Sequence, residues 1–409
     1  MAFFILMLTQ YIRFYSLVID PSFLRNMLTE TGWLTLFSER ALIDGFRLAT
    51  FAFVAFCFTV FFLLRWSPID RSTEVKRTPS WVDVKFYERP AVVLLLLSPV
   101  LMLVLGYFAS IYHIGQLGSS IKAELPFRLA GVIYYARLIF VPTLLMFLIC
   151  AADRAGRQDM VRAGFLLLLA HGVMDVLIKS SRGALLLSVL SLIFLALVGG
   201  YKIRRMEKYA FSAVVALAAI AIPLTHQYRV LRNSGLEITA AISGLADSPW
   251  NLSTMILDAI QFIYFRLPGV EMPIAIMGVG GRPLGSRAFE VLSVPNGVAD
   301  YLTHTVLGFP QEVTHSFAPS FIGWFYLIGG ELGVITSGMI LALFVTVFWG
   351  KLIGQRLYSG PVAQTLFLLI LFNAMTEGTL DVLRYHMFAM IACIMCIEIV
   401  MSYYARARQ

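Results

Sequence analysis

The sequence predicts an all-α membrane protein of about ten transmembrane helices (nine to eleven), with one large structured loop on the outer side. Hydrophobic residues make up 59% of the 409-residue chain, charged residues make up 14%, and the mean hydropathy is +0.80. Soluble domains are about 45–50% apolar and about 25% charged. The composition therefore excludes a soluble globular protein and a disordered one. It also argues against a nucleic-acid partner, although the net charge is +8.

The candidate spans follow from length, because a helix needs about 20 mostly apolar residues to cross a bilayer. The first candidate is interrupted by Gln10 and Arg13 and lacks the features of a signal peptide, so an interfacial helix is the alternative there. The eighth is longer than one crossing, and we expect part of it to tilt or to lie along the interface. The ten candidates cover residues 1–19, 44–64, 91–112, 131–151, 163–178, 183–200, 210–225, 320–350, 362–376 and 387–404.

The spans divide the chain into three parts. Residues 1–225 form an N-terminal membrane region of about seven helices, residues 226–319 form the large loop, and residues 320–409 form a C-terminal region of about three helices. Seventeen basic residues fall in one set of short loops and seven in the opposite set. The positive-inside rule places the richer set and both termini in the cytoplasm, and the large loop outside.

The short inner loops leave no room for a nucleotide-binding domain, and no Walker-type motif is present. His304 and His315 are too loosely spaced for a metal site. We therefore expect neither a metal nor a cofactor.

The charges of the large loop are unusual. The loop holds seven acidic residues and no lysine, so its net charge is −2. Arginine is the side chain suited to bidentate recognition of phosphate or carboxylate. Ion pairing of each arginine with a nearby acid is the alternative. The five basic residues of the loop are Arg229, Arg232, Arg266, Arg282 and Arg287.

The same loop carries signals of local structure. Apolar residues recur at helical spacing over 252–263, which predicts an amphipathic helix that ends near Arg266. Glycine and proline residues over 268–285 predict repeated turns, which can bring Arg282 and Arg287 back towards Arg229.

Two stripes of ionisable and polar residues recur at intervals of three or four residues and run to the outer ends of their helices. The first stripe is predicted to lie on one face of the fifth span, and the second starts in the ninth span and runs into the outer connection. Such residues are costly in a membrane and point to function, although ion pairing between helices is an equally good interpretation. Arg47 and Arg137 also lie within spans, and we expect them to extend towards the interface. The first stripe is His171, Asp175, Lys179 and Arg182, and the second is Asn373, Glu377, Asp381 and Arg384.

Three segments resemble the bacterial oligosaccharide repeat-unit (O-antigen) polymerases, the Wzy-like proteins. The first is the Ser181-Arg182-Gly183 step between two spans, and the second is Gly285-Ser286-Arg287-Ala288-Phe289 in the loop. The third, at the loop exit, is Thr314-His315-Ser316-Phe317-Ala318-Pro319 followed by Ile322-Gly323-Trp324-Phe325-Tyr326 and Gly330-Glu331-Leu332-Gly333. The general layout resembles that of the family over nearly the whole chain. The family's usual sequence motif around this arginine is absent, since Ser286 precedes Arg287 and Val294-Pro295-Asn296-Gly297 follows it.

The resemblance implies a membrane glycosyltransferase of the GT-C type in the bacterial inner membrane, with its active site facing the periplasm. Such enzymes transfer a glycan from undecaprenyl diphosphate to the next lipid-linked unit. Arg229, Arg266 and Arg287 are the first candidates for binding the diphosphate, with Arg232, Arg282 and Arg182 as further substrate-binding candidates. The candidates for the general base are His304, His315, Glu377 and Asp381.

Three other functions are compatible with these patterns. An O-antigen ligase uses the same donor with a lipid A acceptor. A flippase for lipid-linked oligosaccharides differs in usually having repeated halves, which are not evident in this sequence. A structural scaffold in a polysaccharide-assembly complex explains least well why every basic residue of the large loop is an arginine. Membrane lipid is an expected partner in every case, and binding of a chain-length regulator stays open.

Overall fold

The computed structural model describes the greater part of the chain as helix. The described residues are 39–66, 84–115, 125–179, 182–198, 284–294, 297–306, 320–354, 357–376 and 380–407, with the single residues 228, 240, 243, 244 and 276. Within these ranges there is no strand.

Eleven α-helices lie within the described ranges. Four further one-turn elements connect them, the 3₁₀ turns Pro126–Arg128 and Gly285–Arg287 and the π-helical turns Ala136–Phe140 and Tyr301–Val306. The helices are α1 (Glu39–Trp66), α2 (Val84–Ile111), α3 (Leu129–Tyr135), α4 (Val141–Arg154), α5 (Gln158–Lys179), α6 (Arg182–Leu197), α7 (Ala288–Ser293), α8 (Gly297–Asp300), α9 (Ser320–Gly354), α10 (Gly360–Thr376) and α11 (Leu380–Arg406).

Eight of the ten predicted spans coincide with helices of the described residues. The spans predicted over 1–19 and 210–225 lie outside the described residues, as does the amphipathic helix predicted over 252–263. Two of the eight helices are shorter apolar helices, Leu185–Leu197 and Gly360–Ala374. Six are long and apolar enough to cross a membrane: Ile43–Leu63, Phe86–Ile111, Leu129–Arg154, Gln158–Lys179, Phe321–Trp349 and Tyr385–Arg406.

The chain divides into two compact units. The first unit comprises Met1–Thr73, Ile263–Lys351 and Ile370–Tyr385. The second comprises Glu74–Phe262, Leu352–Leu369 and His386–Gln409.

In the first unit, α1 and α9 touch through small residues. Ala52 and Gly338 are both buried, and a Cβ atom added at Gly338 would overlap the carbonyl oxygen of Ala52. The absence of a side chain at Gly338 therefore allows the two backbones to meet. Beside this contact, Phe56 packs against Phe321 and Leu341.

The helix α9 is broken at Gly330. Its φ of 59° and ψ of −144° are outside the helical region, and only glycine adopts them without strain. The break separates the first turns of α9 from the long apolar segment that follows. The expectation that part of residues 320–350 tilts or lies along the interface stays a prediction.

In the second unit, α4 lies at the centre. It packs against α2 and α5, and α5 packs in turn against α6. Nearly every side chain from Val141 to Ala152 is buried. Serine and threonine hydroxyls in both units donate hydrogen bonds to the carbonyl four residues earlier, which satisfies them without a partner helix. They include Thr50, Thr59, Ser98, Thr143, Ser191 and Thr365.

A polar network joins the ends of four helices in the second unit. The Glu398 carboxylate on α11 accepts hydrogen bonds from the backbone N–H groups of Tyr358, at 3.1 Å, and Ser359, at 2.7 Å. Both N–H groups precede α10, so Glu398 caps the start of that helix. Arg154, at the end of α4, donates to the Tyr87 hydroxyl on α2 and to the Tyr358 carbonyl.

Arg157 extends this network to the surface, between α4 and α5. It donates to Asp159 at 2.9 Å and to Glu88 at 2.7 Å. These hydrogen bonds, to Asp159 first and Glu88 second, raise the pKa of Arg157 above its ordinary value. The network is built from ordinary pairing and contains none of the predicted site residues.

The contact at Gly338 generates a stability prediction. Gly338→Ala should destabilise the protein by about 1–3 kcal/mol, because the added methyl group forces α1 and α9 apart. Gly329→Ala is the matched control, since a Cβ atom there meets no atom within 4 Å. The apparent melting temperature of purified protein in detergent measures both. Equal melting temperatures for the two variants would contradict the close approach of α1 and α9.

Candidate functional site

The loop segment that carries Arg287 is folded onto the start of α9. Leu284 and Ala288 are buried in one apolar cluster with Trp324 and Leu327 of α9. The Leu284 backbone N–H also donates a hydrogen bond to the Leu327 carbonyl. Burial of residues on both sides fixes the backbone at Arg287, whereas its own side chain is exposed. An exposed guanidinium on a fixed turn is suited to bind an anion from solution.

His304 lies on the π-helical turn Tyr301–Val306 of the same segment. Its neighbours Leu302 and Thr303 are fully buried, and its own side chain is half-buried. The same packing thus holds both Arg287 and His304, the two predicted site residues of the loop whose side chains are described. Short π-helical turns are frequent at functional sites.

The start of the large loop is attached to α5. The Tyr228 hydroxyl donates a hydrogen bond of 2.7 Å to the Leu177 carbonyl, and Tyr228 is 2% exposed. The last carbonyls of a helix have no partner within the helix, so a tyrosine from elsewhere satisfies one here. The contact fixes the chain immediately before Arg229.

Most of the remaining predicted site residues lie outside the described residues. For Arg182 and Asp381 the structure describes the backbone only. Those outside are Arg229, Arg232, Arg266, Arg282, His315 and Glu377.

The prediction that the first polar stripe follows one helical face was wrong at Arg182. The helix α5 ends at Lys179, and Arg182 begins α6 instead of continuing α5. Likewise α10 ends at Thr376, and Asp381 lies in the first turn of α11. Arg384 is also on α11. A regular spacing of residues places side chains on one face only while a single helix lasts.

The first part of the first stripe forms a buried ionic cluster in the second unit. The two Asp175 carboxylate oxygens each contact one cation, Arg137 Nη2 and Lys179 Nζ, the latter at 2.8 Å. The exposed fractions of the Arg137, Asp175 and Lys179 side chains are 1%, 3% and 6%. The Lys179 ammonium also lies 4.8 Å from the centre of the Tyr134 ring. The cluster ties α5 to the chain around α3.

The expectation that Arg137 extends to the interface was therefore wrong. Arg137 lies in the π-helical turn Ala136–Phe140 and turns inwards to Asp175. Pairing of an arginine and an aspartate in consecutive spans lowers the cost of both in apolar surroundings. That opposite charge was the signal in the sequence that could have identified the pair.

The cluster contains more donors than acceptors. Among the described residues, Arg137 Nε and Nη1 and the Nε2 atoms of His171 and His386 have no hydrogen-bond partner. All of these atoms are buried, so no group of a substrate reaches them in this structure. The geometry assigns the Arg137–Asp175–Lys179 cluster a role in joining helices, as the pairing interpretation of the stripe proposed.

No group of three or more histidine, cysteine, aspartate or glutamate side chains suited to a metal occurs in the part of the chain that the structure describes.

Comparison with known proteins identifies no family for this chain. No protein-family model, no curated protein and no solved structure matches the chain.

The ionic cluster generates a second stability prediction. Asp175→Asn leaves two buried cations beside each other without a counter-charge, which should cost about 3–5 kcal/mol. The matched control is Asp159→Asn, whose side chain is 63% exposed and pairs with Arg157 at the surface. Its effect should be much smaller, because solvent screens the pair. Thermal unfolding in detergent measures both, and an Asp175 variant as stable as the Asp159 variant would refute the pairing role.

Proposed function

We propose that the chain is a membrane glycosyltransferase of the GT-C type that polymerises oligosaccharide repeat units linked to undecaprenyl diphosphate. The proposal includes the ten spans, the bacterial inner membrane, the cytoplasmic termini and an active site at the periplasmic face. The long apolar helices supply the membrane location that such an enzyme needs.

One observation carries the proposal. Two of the segments that resemble the repeat-unit polymerases, the one around Arg287 and the one around Trp324, are separate in the sequence. In the structure, Ala288 and Trp324 belong to the same buried cluster. The packing leaves the Arg287 side chain exposed at the end of the long helix α9. A packed loop segment with an exposed arginine is better suited to recognise a charged ligand than a segment that only connects two spans.

The chemistry matches an arginine. In the transfer, the bond between the anomeric carbon and the diphosphate oxygen breaks, and the leaving diphosphate keeps the electron pair. The acceptor hydroxyl oxygen forms the new bond to the anomeric carbon and gives its proton to a base. Guanidinium groups stabilise the negative charge that develops on the diphosphate. Arg287, Arg266 and Arg229 are the proposed diphosphate ligands, and His304, His315, Glu377 and Asp381 are the candidates for the base.

Gel analysis of surface polysaccharide in a deletion strain separates this proposal from its alternatives. Single repeat units on lipid A indicate a polymerase. Unattached lipid-linked polymer indicates an O-antigen ligase, and repeat units retained inside the cell indicate a flippase. Wild-type surface polysaccharide in the deletion strain would contradict all three.

Substitution of Arg287 tests the role of the loop. Arg287→Ala should lower the rate of chain elongation by about 10²–10³, because a charge that stabilises the leaving group is lost. Arg266→Ala should act in the same direction. Arg287→Lys should also be impaired, since lysine cannot make the bidentate contact. The measurement is the length of polymer on gels at equal protein expression.

The matched control is Arg406→Ala, which removes another exposed arginine at the end of α11. Polymer length should stay at the wild-type value in this variant. Long polymer in both the Arg287→Ala and the Arg266→Ala strains would refute the diphosphate-binding role.

A further inference from the structure

A groove runs along the contact between α1 and α9 in the first unit. Its lining residues are sequence neighbours of Ala52 and Gly338, where the two backbones meet. The groove has a volume of about 340 Å³. Its lining is almost wholly apolar and comprises Phe51, Val54, Ala55, Phe58, Thr59, Ile335 and Met339.

The walls of the groove stay open to the surroundings of the helices. Phe51 is 45% exposed, Phe58 is 63% exposed and Met339 is 47% exposed. Both helices are long and apolar enough to cross a membrane. The natural neighbour of such a groove is a hydrocarbon chain, since filling it recovers dispersion contacts that an empty groove lacks.

Three charged side chains meet between α1 and α9, one helical turn before wall residues of the groove. Arg47 on α1 contacts Glu331 on α9 at 3.1 Å and Asp44 at 3.5 Å. Arg47 precedes Phe51 by four residues, and Glu331 precedes Ile335 by four, so each charge lies one helical turn before a wall residue. The Arg47 and Glu331 side chains are 50% and 62% exposed. The charges therefore lie beside the groove and are accessible to a polar headgroup.

The net charge of Arg47, Asp44 and Glu331 determines which lipid headgroup fits beside the groove. One guanidinium and two carboxylates give a net charge of −1, which disfavours an anionic lipid. A headgroup with both a phosphate and a primary ammonium matches the set, because the guanidinium binds the phosphate and the carboxylates accept hydrogen bonds from the ammonium.

We propose that this groove binds one acyl chain of a phospholipid of the phosphatidylethanolamine class, with its headgroup at Arg47, Asp44 and Glu331. The site shares no residue with the diphosphate site proposed at the loop arginines and does not depend on the glycosyltransferase proposal. It makes the zwitterionic lipid a bound component of the first unit.

Native mass spectrometry of the full-length protein in detergent tests the headgroup. The probes are phosphatidylethanolamine, phosphatidylcholine and phosphatidylglycerol with identical acyl chains. Phosphatidylethanolamine should bind about two- to fivefold more tightly than phosphatidylglycerol, the scale of an exposed ion pair. Phosphatidylcholine should fall between them, because its ammonium carries no N–H donor. Glu331→Gln should remove most of the preference, whereas Asp300→Asn, an exposed acid outside the groove, should keep it.

The groove itself is tested by a pair of phenylalanines on α1. Phe58→Ala should weaken binding of all three lipids, because Phe58 lines the groove. Phe61→Ala should leave binding unchanged, since Phe61 is similarly exposed, at 59%, and is not part of the lining. If Phe58→Ala does not fold, Met339→Ala replaces it. Equal binding of the three lipids, tightest binding of phosphatidylglycerol, an unchanged preference in Glu331→Gln, or equal effects of the two phenylalanine variants would each overturn the proposal.

Discussion

The structure depends on one constraint: a polar group in apolar surroundings is costly unless it has a partner within the chain. The described hydroxyls of Thr143 and Ser191 meet it locally, by hydrogen bonds to their own helices. Glu398 meets it by capping the start of α10. Asp175 meets it by sharing its two oxygens between Arg137 and Lys179. Because Glu398 and the Tyr358 and Ser359 N–H groups, and Asp175 and Arg137, lie on different helices or turns, these two contacts also fix which helices pack together.

The same constraint limits where ligands can bind. The charges of Arg137, Asp175 and Lys179 in the second unit are buried and paired, so they hold helices together. In the first unit, accessible charges lie on the folded loop segment at Arg287 and beside the groove at Arg47 and Glu331. Diphosphate recognition is proposed at the first and headgroup recognition at the second. Both proposals rest on an exposed charged side chain on a residue whose backbone is held in place by buried neighbouring residues.

Much of the fold could be predicted because apolar run length is a local property. The eight predicted spans within the described residues are helices for that reason. The Arg137–Asp175 pair could not be placed by length or spacing, since its partners meet only through packing of neighbouring helices. The break at Gly330 had a weak signal in the Gly329-Gly330 pair, but a glycine by itself does not state the direction of a break. The one-face prediction for the first stripe failed because α5 ends at Lys179, before Arg182.

The candidate site was predicted less completely than the fold. The residue type suggested Arg287, but its exposure depends on burial of Leu284 and Ala288 against α9, which is tertiary information. Tyr228 was missed because its role is a single hydrogen bond to a helix end 51 residues earlier. A tyrosine in a polar loop carries no sequence signal for such a contact.

The most direct test of the proposed function is a reaction with purified protein and a synthetic oligosaccharide repeat unit on undecaprenyl diphosphate. The account predicts a ladder of lipid-linked products that are longer by whole repeat units. It also predicts release of one undecaprenyl diphosphate for each unit added. Unchanged repeat units with no released carrier, under conditions where the protein is folded and monodisperse, would contradict it.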